Sequence, residues 1–174
     1  MTKTRYPLRP FLPADTIALR ELFAASVEEL TQEDYDEDQR AAWMAFAEDA
    51  EAFRERLEEA TTIVIDVDRE PAGFASLKDD SILDMLYVHP YHAGSGIGSA
   101  LCDALETLAK ARGAGTITVE ASETAVEFFE ARDYTATERN SVERFGEWLA
   151  TTTMKKTLND EPAERSEDSH DGEA

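Results

Sequence analysis

The chain has 174 residues, the length of one domain, and its 42% hydrophobic residues are enough to build a buried core. Its formal net charge is −21 at pH 7. Nucleic acids and anionic membranes would repel such a surface, so the composition argues against both as partners.

The acidic residues are spread along the whole chain, whereas lysine is scarce. The lysines are Lys3, Lys78, Lys110, Lys155 and Lys156. This composition is typical of halophilic proteins, in which concentrated salt screens the repulsion between surface carboxylates. We therefore expect the fold to depend on salt.

Cys102 is the single cysteine, so the chain cannot form an internal disulfide. No apolar run approaches the length of a membrane span, and the first residues lead into no signal-peptide core. These features predict a cytoplasmic protein.

In chain order, the first half begins with a strand expected at 4–9 and a helix ending near Leu30. A second helical stretch runs from Asp36 to Leu57, and its pattern leaves open whether it is one helix or two with a break near 47–49. The remaining strands are expected at 62–67, 72–78, 82–88, 116–120, 134–143 and 147–156, and the remaining helices at 99–112 and 124–132.

The resulting order is β-α-α-β-β-β-α-β-α-β-β. It predicts an α/β fold with a mixed central sheet and helices on both faces. Residues 1–158 are expected to form a single domain. Residues 159–174 are acidic and without periodicity, which predicts a disordered tail.

A glycine-rich turn joins the strand at 82–88 to the next helix. It contains Gly94, Gly96 and Gly98. Glycines let several backbone N–H groups converge, and the following helix directs its positive end to the same place. The turn is therefore suited to an anion such as phosphate.

Two nucleotide-binding interpretations fit this turn poorly. An NTPase phosphate loop needs lysine before the serine, whereas Gly98 precedes Ser99 directly. A dinucleotide fingerprint needs the strand to run straight into Gly-x-Gly-x-x-Gly, whereas here Pro90 intervenes and the spacing differs. A plain tight turn would usually need one glycine rather than three.

The segment from Val88 to Leu101, Val-His-Pro-Tyr-His-Ala-Gly-Ser-Gly-Ile-Gly-Ser-Ala-Leu, resembles the acetyl-CoA motif of the GCN5-related N-acetyltransferases (GNAT). Ser122–Tyr134 is similar to that family's Asn-x-x-Ala-x-x-Phe-Tyr-Glu segment, and Met154–Leu158 to its closing Met-x-Lys-x-Leu. The resemblance covers roughly Arg5 to Leu158 and implies a GNAT-like sheet. Ala93 stands where the family usually has arginine or glutamine.

This resemblance implies an enzyme that transfers acetyl from acetyl-CoA to an amine, of a small molecule or a protein, by direct attack. Pantetheine would pair with the backbone of Leu86, Tyr87 and Val88, and a backbone N–H there would polarise the thioester. The pyrophosphate would be held mainly by backbone amides. The residues that the resemblance assigns to the donor are Leu86, Tyr87, Val88, Ala93, Gly94, Ser95, Gly96, Ile97, Gly98, Ser99, Ser122 and Phe128.

The chemistry needs a base for the amine and a proton for the leaving thiolate. Asp84 interrupts an apolar strand, where an unpaired carboxylate would be unfavourable, and Glu120 ends another strand, so both are candidate bases. The family's usual acid is a tyrosine, and Phe129 occupies that position. Tyr87 and Tyr134 are the candidate substitutes, each with packing as the alternative role.

Tyr35 and Trp43 fall in the region that lines the acceptor pocket in the GNAT family. Cys102 is expected to pack inside its helix, and His89 and His92 lack a third ligand, so no metal site is predicted. A homodimer is a further expectation. The rival functions are an acyl-CoA-binding module without turnover, suggested by Ala93 and Phe129, and, less favoured, a dinucleotide-dependent oxidoreductase.

Overall fold

Seven strands form one mixed sheet in the order β1-β2-β3-β4-β5-β7-β6 in a computed structural model, which describes residues 6–158. The strands are β1 (Arg9–Pro10), β2 (Thr61–Val67), β3 (Glu70–Lys78), β4 (Ile82–Val88), β5 (Thr116–Ser122), β6 (Thr135–Arg144) and β7 (Glu147–Thr157). The α-helices of these residues are α1 (Thr16–Leu30), α2 (Glu37–Met44), α3 (Ala50–Glu59), α4 (Ile97–Ala111) and α5 (Val126–Ala131).

Helices cover both faces of the sheet, which confirms the predicted α/β architecture. On one face, α1 and α3 pack on the sheet through buried aromatic rings, with Phe23, Phe53 and Phe74 in edge-to-face contact. On the other face, α4 and α5 contribute residues such as Leu101, Leu105 and Phe129 to a second buried cluster. Each face of the sheet therefore has its own core.

The helical stretch that begins at Asp36 consists of two helices. Asp36 caps α2, and a 3-10 segment, Ala45–Glu48, separates α2 from α3. The carboxylate of Asp49 accepts a hydrogen bond from the N–H of Ala52 at 3.0 Å and so caps α3. The sequence leaves one helix or two as alternatives, and the structure has two, separated at residues 45–49.

The first strand differs from its prediction at 4–9. Residues 4 and 5 of that segment lie outside the described part of the chain, and β1 consists of Arg9 and Pro10 alone. Proline is tolerated there because β1 is an edge strand, paired only with β2. The predicted tail at 159–174 also lies outside the described residues.

A β-bulge and a gap interrupt the middle of the sheet. In the pairing of β3 with β4, Leu77 faces Leu83 and Ser76 faces Met85, so Asp84 is an extra residue. Strands β4 and β5 pair in parallel only at Ile82 with Thr118 and Leu83 with Val119. Beyond those pairs β4 continues along β3 and β5 along β7, which leaves an open wedge between them.

Candidate active site

The wedge between β4 and β5 opens into a cavity of about 530 Å³, a size typical of small-molecule sites. Its walls come from both strands, from the helices α1 to α5, and from the β6–β7 hairpin. The predicted site residues that line it are Tyr35, Trp43, Asp84, Leu86, Tyr87, Val88, Gly98, Glu120, Ser122 and Phe128. The fold thus brings together residues that are far apart in the sequence.

The edge of β4 that faces the wedge carries backbone groups available to a ligand. His89 donates its N–H to the carbonyl of Ala72 at 2.8 Å, on the β3 side. Successive residues of a strand direct their backbone groups to opposite edges, so those of Leu86 and Val88 face the wedge. This edge can accept an extended chain that pairs like a strand.

The glycine-rich turn lies at the end of β4. Gly94 and Gly96 have φ of +79° and +91°, a conformation that residues with side chains rarely adopt. Gly96 precedes α4, whose first-turn N–H groups, at 97–99, have no acceptor within the helix. These groups and the helix dipole can hold an anion.

Part of the turn is occupied by its own hydrogen bonds. The N–H of Ala93 donates to the carbonyl of Pro90 at 3.1 Å, and that of Ser95 donates to His92 at 3.2 Å. The hydroxyl of Tyr6 donates to the carbonyl of Ser95 at 2.8 Å and fixes the turn from outside. The amide of Ala93, expected to contact pyrophosphate, is therefore engaged in the turn, whereas the first-turn N–H groups of α4 remain available.

Phe128 of α5 closes the wedge beside the turn. A Cβ placed on Gly98 would lie 3.6 Å from the Phe128 ring and 3.7 Å from Val88. The ring therefore packs close to the backbone of α4. Ser122, at the end of β5, lines the same part of the cavity.

Asp84 is bound by Arg56 of α3. The Nε of Arg56 lies 2.8 Å from Oδ2 of Asp84, and its second nitrogen lies 3.1 Å from Oδ1. The guanidinium also lies over the ring of Phe46, at 5.0 Å. A carboxylate whose two oxygens are both engaged by one guanidinium is poorly placed to accept a proton from an amine.

Glu120 is surrounded by neutral donors. Its carboxylate accepts hydrogen bonds from Thr153 at 2.7 Å, from Asn140 at 2.6 Å and from Thr151. Partial burial alone would raise the pKa of Glu120, but these hydrogen bonds outweigh it and hold the pKa below its usual value. Glu120 is thus a carboxylate at neutral pH, and no cation of residues 6–158 forms an ion pair with it.

Two tyrosines and a tryptophan form one wall of the cavity. Burial raises the pKa of Tyr87 to about 12, and its hydroxyl accepts a hydrogen bond from Nε1 of Trp43 at 3.2 Å. Tyr35 packs edge-to-face on Trp43, donates to the carbonyl of Ala150 at 2.5 Å and accepts from the N–H of Glu123 at 2.9 Å. Tyr35 therefore ties α2 to β7 and to the end of β5.

The family model described as "Acetyltransferase (GNAT) domain" matches residues 31–158. The chain belongs to the GNAT family. It is 30% identical over 148 residues to the uncharacterized N-acetyltransferase YafP of Escherichia coli, covering 85% of this chain and 93% of YafP. It is 48% identical to a GCN5-related N-acetyltransferase from Rhodopseudomonas palustris, with a TM-score of 0.88 and coverage of 90% of this chain and 98% of that one.

The fold is shared with more distant GNAT structures. The PaiA N-acetyltransferase from Thermoplasma acidophilum, solved in complex with coenzyme A, is 17% identical, with a TM-score of 0.72 over 88% of this chain and 99% of that chain. Family membership confirms the prediction of an acetyltransferase that uses acetyl-CoA as its co-substrate.

Phe129, at the position of the usual GNAT tyrosine, is buried and packs edge-to-face on Phe128 and Tyr134. Tyr134 lies outside the cavity lining; its hydroxyl donates to Oε2 of Glu106 at 2.9 Å, in the core. Cys102 is buried beside it, and burial raises the pKa of its thiol to about 11. These positions favour a packing role over a catalytic role for Tyr134 and Cys102.

The histidines near the turn lie outside the cavity lining. Nδ1 of His89 accepts a hydrogen bond from the N–H of Tyr91 at 3.0 Å, within the same short segment. Across residues 6–158 no group of three or more His, Cys, Asp or Glu side chains could hold a metal ion. In the same part of the chain, no helix combines the length and apolarity needed to cross a membrane.

Sequence reasoning missed two arginines and an aromatic residue of the GNAT cavity. Arg56, Arg144 and Phe145 all line it. Arg56 looks like an ordinary polar position of an amphipathic helix, and only the fold brings it to Asp84. Arg144 and Phe145 lie at the tip of the β6–β7 hairpin, and nothing in their local sequence indicates that this tip folds over the site.

Proposed function

We propose that this GNAT protein acetylates a primary amine, of a small molecule or a protein, by direct attack of the amine on acetyl-CoA. The observation that carries the proposal is the wedge between β4 and β5. It has a helix N-terminus suited to phosphate at one end and an unpaired carboxylate, Glu120, in the same cavity.

The donor side of the site would use backbone groups. The first turn of α4 binds the pyrophosphate, and the free edge of β4 at Leu86 and Val88 pairs with the pantetheine arm. A backbone N–H of that edge donates to the thioester oxygen and stabilises the negative charge that develops there during attack. Phe128 and Ser122 cover the arm from the other side of the wedge.

The reaction moves one proton from nitrogen to sulfur. The amine nitrogen forms a bond to the carbonyl carbon, the C–S bond breaks, and the proton lost by nitrogen goes to Glu120, directly or through water. Glu120 suits this role better than Asp84, since no guanidinium binds it. Its low pKa keeps it unprotonated at neutral pH.

Tyr87 would assist the leaving thiolate. Because its oxygen accepts from Trp43, its own proton remains available to a ligand in the cavity. With a pKa of about 12 against ~8.5 for a thiol, the phenol gives a hydrogen bond to the sulfur but keeps its proton. Solvent then supplies the proton of the released thiol and takes up the proton held by Glu120.

The rival proposal is a module that binds acyl-CoA without turnover, and buried Phe129 favours it because phenylalanine cannot donate a proton. Release of free thiol from acetyl-CoA, measured across a panel of amines, separates the two. We expect release that requires both protein and amine, with a product heavier by one acetyl group. Tight binding of acetyl-CoA with no thiol release from any amine would favour the module.

Four properties stay predictions from the sequence: a single domain over residues 1–158, a cytoplasmic location, a homodimer and dependence on salt. Because the protein is expected to depend on salt, the assays above are best done in molar KCl.

A further inference from the structure

Few charged side chains of residues 6–158 line the cavity, and only two of them form an ion pair with each other. Among the described residues that form its walls, four are charged: Arg56, Asp84, Glu120 and Arg144. Arg56 and Asp84 neutralise each other in a two-point ion pair. Glu120 and Arg144 form no ion pair within residues 6–158, although the charge of Arg144 acts on Glu120, so the cavity keeps one negative and one positive group.

Arg144 is one of three arginines within residues 6–158 that form no ion pair, with Arg20 and Arg69, and of these three it alone lines the cavity. Arg9, Arg54, Arg112 and Arg132 each form an ion pair with a carboxylate. Within residues 6–158, the one hydrogen bond of Arg144 runs from Nη1 to the carbonyl of Glu143, at 3.2 Å, and no carboxylate lies within 4.0 Å of its guanidinium. Most of its donors remain available.

The position of Arg144 directs this free charge to the site. It is the last residue of β6, at the start of the hairpin turn formed by Phe145 and Gly146. Phe145 lines the cavity beside it and is itself two-thirds exposed, at 66%. The positive charge of Arg144 also acts on Glu120, for which it is one of the influences that lower the pKa.

We propose that the acceptor is an amino carboxylate, a molecule with a primary amine and a carboxylate, and that Arg144 binds its carboxylate while Glu120 faces its amine. The inference rests on the proposed function and adds the class of acceptor. One free negative and one free positive group match an acceptor that arrives with both charges, and its ammonium gives up one proton to solvent before the neutral amine attacks. Arginine suits the role because its planar guanidinium can give two parallel hydrogen bonds to one carboxylate.

The test compares amino acids with their decarboxylated amines, for example L-phenylalanine with phenethylamine. Acetylation is followed by thiol release in the lowest KCl concentration that keeps the protein folded, because salt screens the contact. For the wild type we expect kcat/KM to be about 10- to 100-fold higher for the amino acid, as for a charged pair of hydrogen bonds. Arg144→Gln should remove this preference, and Arg144→Lys should keep part of it.

Arg139→Gln is the matched control, because Arg139 is also an exposed arginine of β6 but does not line the cavity. It should keep the preference. Arg144→Gln should leave the KM for acetyl-CoA and the melting temperature unchanged, and it should lower kcat/KM far more for L-phenylalanine than for phenethylamine. A preference that survives Arg144→Gln would overturn the proposal. A higher KM for acetyl-CoA with acceptors unaffected would also overturn it, since the guanidinium would then serve the donor.

Calorimetric titration of amino acids into the CoA-bound protein separates this proposal from the proposed function. Binding that is lost in Arg144→Gln supports the carboxylate contact even if no amine is acetylated. Acetylation of amines with no effect of their carboxylate would leave the acetyltransferase standing and refute the contact. The absence of both binding and turnover for every amino carboxylate tested would also refute the contact.

Discussion

Replacing each candidate base with its amide tests the roles that the structure gives to Asp84 and Glu120. Asp84→Asn weakens a two-point ion pair in which the carboxylate is 16% exposed and the guanidinium 42% exposed. The contribution of such a pair lies between the ~0.2–1 kcal/mol of exposed pairs and the ~3–5 kcal/mol lost when one partner of a buried pair is removed. We expect a loss of about 1–2 kcal/mol in unfolding free energy, with kcat/KM changed less than about tenfold.

Glu120→Gln should give the opposite result. It removes the proposed proton acceptor, and general base catalysis contributes about 100- to 10,000-fold, so kcat/KM should fall by at least about 100-fold. Glu120 is an exposed side chain held by hydroxyl and amide donors, some of which an amide oxygen can still satisfy. The melting temperature of the Glu120→Gln protein should therefore change little.

Both variants are measured with the same two assays, thermal unfolding and thiol release with an amine that the wild type acetylates. A loss of 1–2 kcal/mol corresponds to a fall of about 2–8 °C in melting temperature for a protein of this size. Arg54→Gln is the control for a surface pair, since Arg54 binds Glu51 and Glu58 on the exposed side of α3. A 100-fold slower Asp84→Asn enzyme with unchanged melting temperature, beside a fully active Glu120→Gln enzyme, would refute the assignment.

Four further measurements test other parts of the structure. Tyr87→Phe should lower kcat about 10- to 100-fold, and the wild type should show no loss of rate from Tyr87 ionisation below about pH 11, because burial raises the Tyr87 pKa to about 12. Gly96→Ala should raise the KM for acetyl-CoA about tenfold, since φ is +91°, whereas Gly115→Ala, with open space around it, should not. Cys102 should react with thiol reagents only after unfolding, because it is buried and its pKa is about 11; labelling of the native protein contradicts this. The melting temperature should rise between low and molar KCl, and an unchanged value would remove the salt prediction.

The sequence predicted well where the pattern is local. The bounds of β4, Ile82–Val88, agree with the structure because an apolar run ends at His89-Pro90. Helix α4 was expected from residue 99 and begins at Ile97, within the usual uncertainty of a helix end. The GNAT motif then predicted a donor site, because its residues are contiguous, and that assignment stays a prediction.

What the sequence could not supply depends on contacts between distant segments. Tyr87 and Tyr134 are alike in sequence as aromatic residues of strand ends, yet one lines the cavity and the other packs against Glu106. Arg56 lies 28 residues from Asp84, so the ion pair that changes the role of Asp84 has no local signal. The same holds for Arg144, which reaches the cavity only because the β6–β7 hairpin leans over it.

Asp84 connects the local sequence to the formation of the site. As a bulge residue it reverses the alternation of β4, so that Leu83 and Met85 face opposite cores. A bulge also bends and twists its strand, and pairing with β5 stops immediately before it, at Leu83. The carboxylate that breaks the apolar pattern thus marks the point where β4 leaves β5, and Arg56 holds it there. In the mechanism we propose, Asp84 serves to open the wedge, and Glu120 on the opposite strand accepts the proton.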